Sequence, residues 1–171
     1  EEARRTLEES MAFSRKLFGD DLKLPLLQRY LGQVFVGLGD FRAADERFDR
    51  SIRDARAKGE GFEHLIAWGD VERARSRNIE GRHAEAEQLV TRAIAAGPLG
   101  PSYERYAALE LADSLSGESR FAEADAQFAR VIALHRESVG LDSFLMVEVY
   151  TRQAEHLRRA DARGHRVRPV A

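Results

Sequence analysis

The chain has no cysteine. That excludes a disulfide framework, a thiolate nucleophile and a cysteine zinc site. No apolar run approaches the ~18 residues of a membrane span, and no signal peptide opens the sequence. Neither sign of charge dominates: the formal net charge is -2 and the pI is near 6.3. That balance argues against nucleic acid or a membrane surface as the partner; the lack of cysteine fits a reducing compartment, and a cytoplasmic setting is expected. Lysine is scarce. Only Lys16, Lys23 and Lys58 stand among 27 basic residues, a bias expected of a GC-rich bacterial genome. Period-2 apolar alternation and Asn-Gly or Asp-Gly hairpin signals are missing, so strands are not expected.

Motifs that carry chemistry are missing too. The five histidines (His64, His83, His135, His156 and His165) form no i, i+4 pair, and there is no His-Glu-x-x-His. A helical zinc site is therefore unsupported. Gly97-Pro98-Leu99-Gly100-Pro101 lacks the Lys-Ser/Thr that a phosphate loop needs, and reads as a turn between helices. Acidic residues are interleaved with Arg at i+3 or i+4, as on solvated helix faces. No catalytic, cofactor-binding or metal-binding residues are expected.

What the chain does have is a phrase that it repeats. Phe41-x-x-Ala44-x-x-x-Phe48-x-x-x-Ile52 returns as His83-x-x-Ala86-x-x-x-Val90-x-x-x-Ile94. It returns again as Phe121-x-x-Ala124-x-x-x-Phe128-x-x-x-Ile132, at intervals of 42 and 38 residues. Three copies at a nearly fixed period signify stacked repeats. Upstream of the phrases lie small residues, Gly32, Ala74 and Ala112, with a fourth at Ala154; their intervals are 42, 38 and 42. Gly39, Gly81 and Gly117 precede the phrases, and Asp40 and Ser119 stand where N-caps are expected. Apolar residues between the glycines recur at helical spacing, as in Leu27-Leu31-Val34-Phe35-Leu38. The reading is eight helices, over about 1–18, 24–38, 41–57, 62–79, 82–96, 102–116, 119–138 and 142–162. Short connections make successive helices antiparallel. Residues 1–162 form one helical repeat domain, and 163–171 a basic flexible tail or linker. Glu1-Glu2-Ala3-Arg4-Arg5 reads as mid-helix, so a fragment of a longer protein is expected.

A small residue in one helix, followed by Gly, an aromatic and Ala in the next, resembles the tetratricopeptide repeat (TPR) family. The resemblance spans nearly all of residues 1–162. It implies an all-α, right-handed superhelical solenoid of antiparallel helix pairs. The long period is similar to the kinesin-light-chain type and its bacterial regulatory relatives, as are Ser14–Asp21 and Ile132–Asp142. That type has paired asparagines where this chain has Arg29-Tyr30 and Leu109-Glu110, so its peptide chemistry is not carried over. A carboxylate clamp of the chaperone-tail kind finds only Arg29, with Glu72 and Glu110 opposed to it.

The resemblance implies a non-catalytic scaffold that holds a protein or peptide partner on the concave face, within a larger bacterial regulatory protein. First helices line that face, which selects a candidate groove of Arg29, Gln33, Trp68, Val71, Arg75, Asn78, Tyr106, Leu109 and Asp113. Aromatics with Arg are residue types that dominate binding energy at interfaces. As plain packing, Trp68 and Tyr106 would be half-buried. The second repeat is unusual: Arg73 and Arg77 stand where others have Leu31 and Phe35, or Leu111 and Leu115. Either they pair with Glu72, Glu80 or Glu85, or the helix is rotated to bury Val71 and Ile79 and leave surface arginines. The second is the reading adopted. A rival for the whole chain is self-association into a homo-oligomer through the C-terminal helix. Its stripe Phe144-Val147-Tyr150-Ala154-Leu157 has no second helix to cover it. A helical-repeat enzyme is a further rival, without a residue cluster to support it.

Overall fold

Leu31, Phe35, Ala44 and Phe48 pack into one buried cluster because their spacings put them on facing stripes of two helices. The same arrangement recurs along the chain. The computed structural model describes residues 24–97, 99–138 and 145–165, with isolated helical positions between Glu2 and Lys16. Among them are seven α-helices and no strand: α1 (Leu24–Gly37), α2 (Phe41–Lys58), α3 (Glu63–Ile79), α4 (His83–Ala95), α5 (Pro101–Gly117), α6 (Phe121–Ser138) and α7 (Leu145–Ala162). The expected helix over 1–18 lies largely outside the described residues, as do the tail from 166 and the start of the expected helix at 142. No described helix is long and apolar enough to cross a membrane.

The helices alternate between two layers. Each odd-numbered helix touches the next odd one: α1 with α3, α3 with α5, and α5 with α7. The even-numbered helices pack on the odd ones before and after them but not on one another. The alanines of the repeated phrase lie on the buried side of the even helices. Ala44, Ala86 and Ala124 are fully buried, as are Phe48, Val90 and Phe128 one turn on. Gly32, Ala74 and Ala112 meet them from the odd helices. A Cβ on Gly32 would overlap the Phe48 ring, and one on Gly69 would come within 2.7 Å of Ile52. Ala154, the fourth small residue, is exposed instead.

One turn recurs four times. Asp40 N–H donates to the Phe35 carbonyl at 3.0 Å, Arg82 to Arg77 at 2.8 Å, Arg120 to Leu115 at 2.9 Å, and His165 to Ala160 at 2.9 Å. This six-to-one bond closes a helix C-terminus when the preceding residue is left-handed. Those residues are Gly39, Gly81, Ser119 and Gly164, with φ of 75°, 76°, 66° and 72°. Ser119 is therefore a strained turn residue, not an N-cap. Gly117 closes no turn either; it gives room to the His83 ring, which a Cβ there would overlap. Asp40 does cap α2, accepting from Ala43 N–H at 3.0 Å.

The second repeat bears out only part of the rotated-helix expectation: Val71 is buried, but Ile79 is exposed and Arg77 is buried in place of lying at the surface. The Arg77 guanidinium reaches Asp45 on α2 and Glu80 at 2.8 Å, with Glu85 at 3.8 Å. Arg73 reaches Asp49 at 3.0 Å. Pairing outside the helix satisfied the charges, so the helix did not have to turn.

Candidate functional site

The odd-helix layer brings two clusters together. The first joins α1, α3 and α5 around Arg29. This arginine is buried, with Nη1 3.1 Å from Glu72 Oε1. Its guanidinium lies 4.5 Å from the Tyr30 ring centroid, 5.4 Å from Tyr103 and 5.6 Å from Trp68. Arg29 Nη1 also donates a short bond to the Tyr103 hydroxyl, and Gln33 donates to Glu72. Burial raises the Glu72 carboxyl above its ordinary range, and Arg29 and Gln33 oppose that rise. Trp68 lies flat on Tyr103, with centroids 4.2 Å apart at 9°, and its indole N–H donates to the Leu99 carbonyl at 3.1 Å. Its partners are internal, so it is half-buried packing that ties α3 to α5.

The second cluster forms a groove of about 550 Å³ across α3, α5 and α7, rimmed by Arg75, Asn78, Asp113 and Thr151. Its floor is ionic. Arg152 of α7 donates to Glu110 and Asp113 of α5, each at 2.8 Å, and to Glu148 on its own helix at 2.6 Å. Arg75 reaches Glu148 from the opposite wall at 3.5 Å. Burial pushes Asp113 up to about 6; Arg152 opposes this and Glu110 adds to it. Burial also lowers the His83 imidazole, with Arg159 acting in the same direction. Asn78 is fully used. Its amide donates to the Glu110 carbonyl at 2.9 Å and Oε2 at 3.0 Å, and it accepts from Ser114 at 3.0 Å.

The nine candidate residues thus divide. Arg75, Asn78 and Asp113 line the groove together. Arg29, Gln33 and Trp68 belong to the internal cluster, where Arg29 is too buried to meet a partner. Val71 and Leu109 are a correction: both are core residues, packed against Ala86 and Val90, and against Phe128 and Val131 respectively. Tyr106 is at the surface, tilted toward Tyr103 at 5.9 Å. Sequence reasoning missed Arg152 and Glu148. The signal was register: Glu72, Glu110 and Arg152 stand 38 and 42 residues apart, so a basic residue follows two acidic ones at one equivalent position.

The groove offers both signs of charge and several hydrogen-bonding groups. Three helices at the usual 8–10 Å separation span roughly 20 Å, about six extended residues of a bound chain. Among the described residues no group of three or more His, Asp or Glu is placed to hold a metal ion. The sequence matches no model of a known protein family, and no curated protein matches it.

Proposed function

We propose that this chain is a TPR-type solenoid acting as a non-catalytic scaffold, and that it binds an extended polar segment of a protein partner in the groove across α3, α5 and α7. Contact among odd helices and none among even ones supports a stack curved with the odd layer inside. The observation that carries the binding reading is the groove itself: about 550 Å³, open to solvent, on the inner layer, with charged walls from three helices. Arg75, Glu148 and Thr151 are its accessible contacts; Asn78 and Arg152 hold its shape.

The test is selection of peptides from a random library against the chain. Selected peptides are then measured against Thr151→Trp, which fills the groove, and Gln88→Trp, on the outer face of α4. Loss of binding to the first variant alone is the expected result. Peptides that bind both variants, or a library that yields no groove-dependent binder, would overturn the reading.

A further inference from the structure

A second cavity, of about 300 Å³, adjoins the groove. The two share His83, Ser116 and Arg159 in their walls, so the groove runs on toward the turn that ends α7. Two copies of the recurring turn form the lips of this cavity: Ser119 after α5, and Arg163 just before Gly164 after α7. Arg163 stands immediately before the left-handed residue. The turns after α1, α3 and α5 have Leu38, Glu80 and Glu118 at that position, so the turn after α7 alone has a basic residue there.

The two regions differ in charge. On the groove floor the carboxylates Glu110, Asp113 and Glu148 are met by Arg152 and Arg75. Three carboxylates against two guanidiniums repel a further anion. The second cavity is lined by Arg158, Arg159 and Arg163, with no carboxylate among its lining residues. Glu155 beside it is shared: it accepts from Arg158 Nε and Nη2 at 2.8 and 2.7 Å and from Arg159 Nε at 3.1 Å. Arg163 donates to the Ser119 hydroxyl and pairs with no carboxylate among the described residues. Glu118, across the lip, is held by Arg120 at 3.3 Å. One carboxylate thus answers three guanidiniums. His83 registers the excess: burial lowers its imidazole, and Arg159 lowers it further.

We infer that this cavity receives an acidic side chain, Asp or Glu, of the segment bound in the groove, and so fixes the register of that segment. The inference rests on the groove reading and adds to it the position of one charge. Guanidinium forks match a carboxylate in shape as well as in sign. The same acidic side chain over the groove floor would face Glu110, Asp113 and Glu148 instead. From Glu148 to Arg159 α7 rises about 16 Å, roughly five extended residues. The acidic residue therefore lies at one end of the bound segment, about five residues from the part over Glu148.

The probe is a random library of peptides about seven residues long, enough to span both cavities. Their C-termini are amidated, so that a carboxylate comes from a side chain and not from a chain end. Groove-dependent binders are those lost to Thr151→Trp. Among them Asp or Glu is expected to be enriched near one end. Replacing that residue by its amide should weaken binding to the wild type about threefold or more, toward the upper range for an exposed ion pair. The same replacement should leave binding to Arg163→Gln nearly unchanged, and Arg163→Lys, which keeps the charge, should respond like the wild type. Arg163 is exposed, so all three proteins should melt alike. Groove-dependent binders without acidic enrichment would overturn the inference and leave the groove reading standing. So would an amide replacement that weakens binding equally to the wild type and to Arg163→Gln. A library without groove-dependent binders would overturn both.

Discussion

Arg29 and Glu72, on neighbouring odd helices, form a buried ion pair with 3.1 Å between Nη1 and Oε1. Removing one partner of such a pair strands the other charge, at a cost of about 3–5 kcal/mol. Arg29→Met is expected to lose that much at pH 7 in urea unfolding. The Glu72 carboxyl is already raised by burial, so its contribution to stability is present at low pH and lost as pH rises through its folded value. The loss in Arg29→Met should shrink on acidification toward the ordinary carboxylate range. A loss that does not vary with pH would mean that Glu72 is not the stranded charge.

Asp113 gives a second pH-dependent expectation. Its folded value of about 6 lies above the ordinary 3.8. The folded state therefore holds a proton that the unfolded state releases between those limits, and stability from this group falls as pH rises from about 4 to about 6. Asp113→Asn should gain on the wild type across that window and be no less stable at pH 7. Urea unfolding at four pH values from 4 to 7 measures it. If the wild type gains on the variant instead, Arg152 more than offsets the burial.

Trp68→Ala is expected to cost roughly 3 kcal/mol, from lost contact with Tyr103 and a stranded Leu99 carbonyl. Trp68→Phe keeps the stacking and should lose only about 1 kcal/mol. Thermal melts followed by circular dichroism separate the two. Equal melting of Trp68→Ala and wild type would return Trp68 to the list of free surface anchors.

Ser119 holds a φ of 66° in a turn where its three counterparts are glycines. Ser119→Gly should stabilise the chain by about 0.5–1 kcal/mol, and Gly81→Ser should destabilise it by a similar amount. The two variants should move the urea midpoint in opposite directions. Movement in one direction would exclude the shared turn as the cause.

Ala86→Leu adds three carbons where α4 meets α3 with no free space, and is expected to cost about 1–3 kcal/mol. Ala84→Leu, on the exposed side of the same helix, is its control. Similar melting of both variants would mean that Ala86 is not at a close helix contact.

The period of the phrase was legible because packing repeats it: Ala44, Ala86 and Ala124 face the same kind of neighbour. The pairing of Arg77 with Glu80 and Glu85 was legible as one of two alternatives, but its pairing with Asp45 was not, because Asp45 lies 32 residues earlier and nothing in local spacing links them. Val71 and Leu109 were misplaced on the groove for a related reason. The inner odd helices α3 and α5 each meet four neighbours, and residues one step apart in register, such as Leu109 and Glu110, go to core and groove floor. The exposure of Val147 and Tyr150 was legible, since it follows from counting helices in pairs.

The contact between odd helices has a mechanical meaning. Their spacing is held by side chains and not by a backbone ladder: Arg29 to Glu72 joins α1 and α3, Asn78 to Glu110 joins α3 and α5, and Arg152 to Glu110 joins α5 and α7. The even helices are out of contact with one another. Polar ties between the odd helices therefore bear directly on the spacing of one pair from the next, and removing one of them is expected to alter the width of the groove while leaving every helix intact.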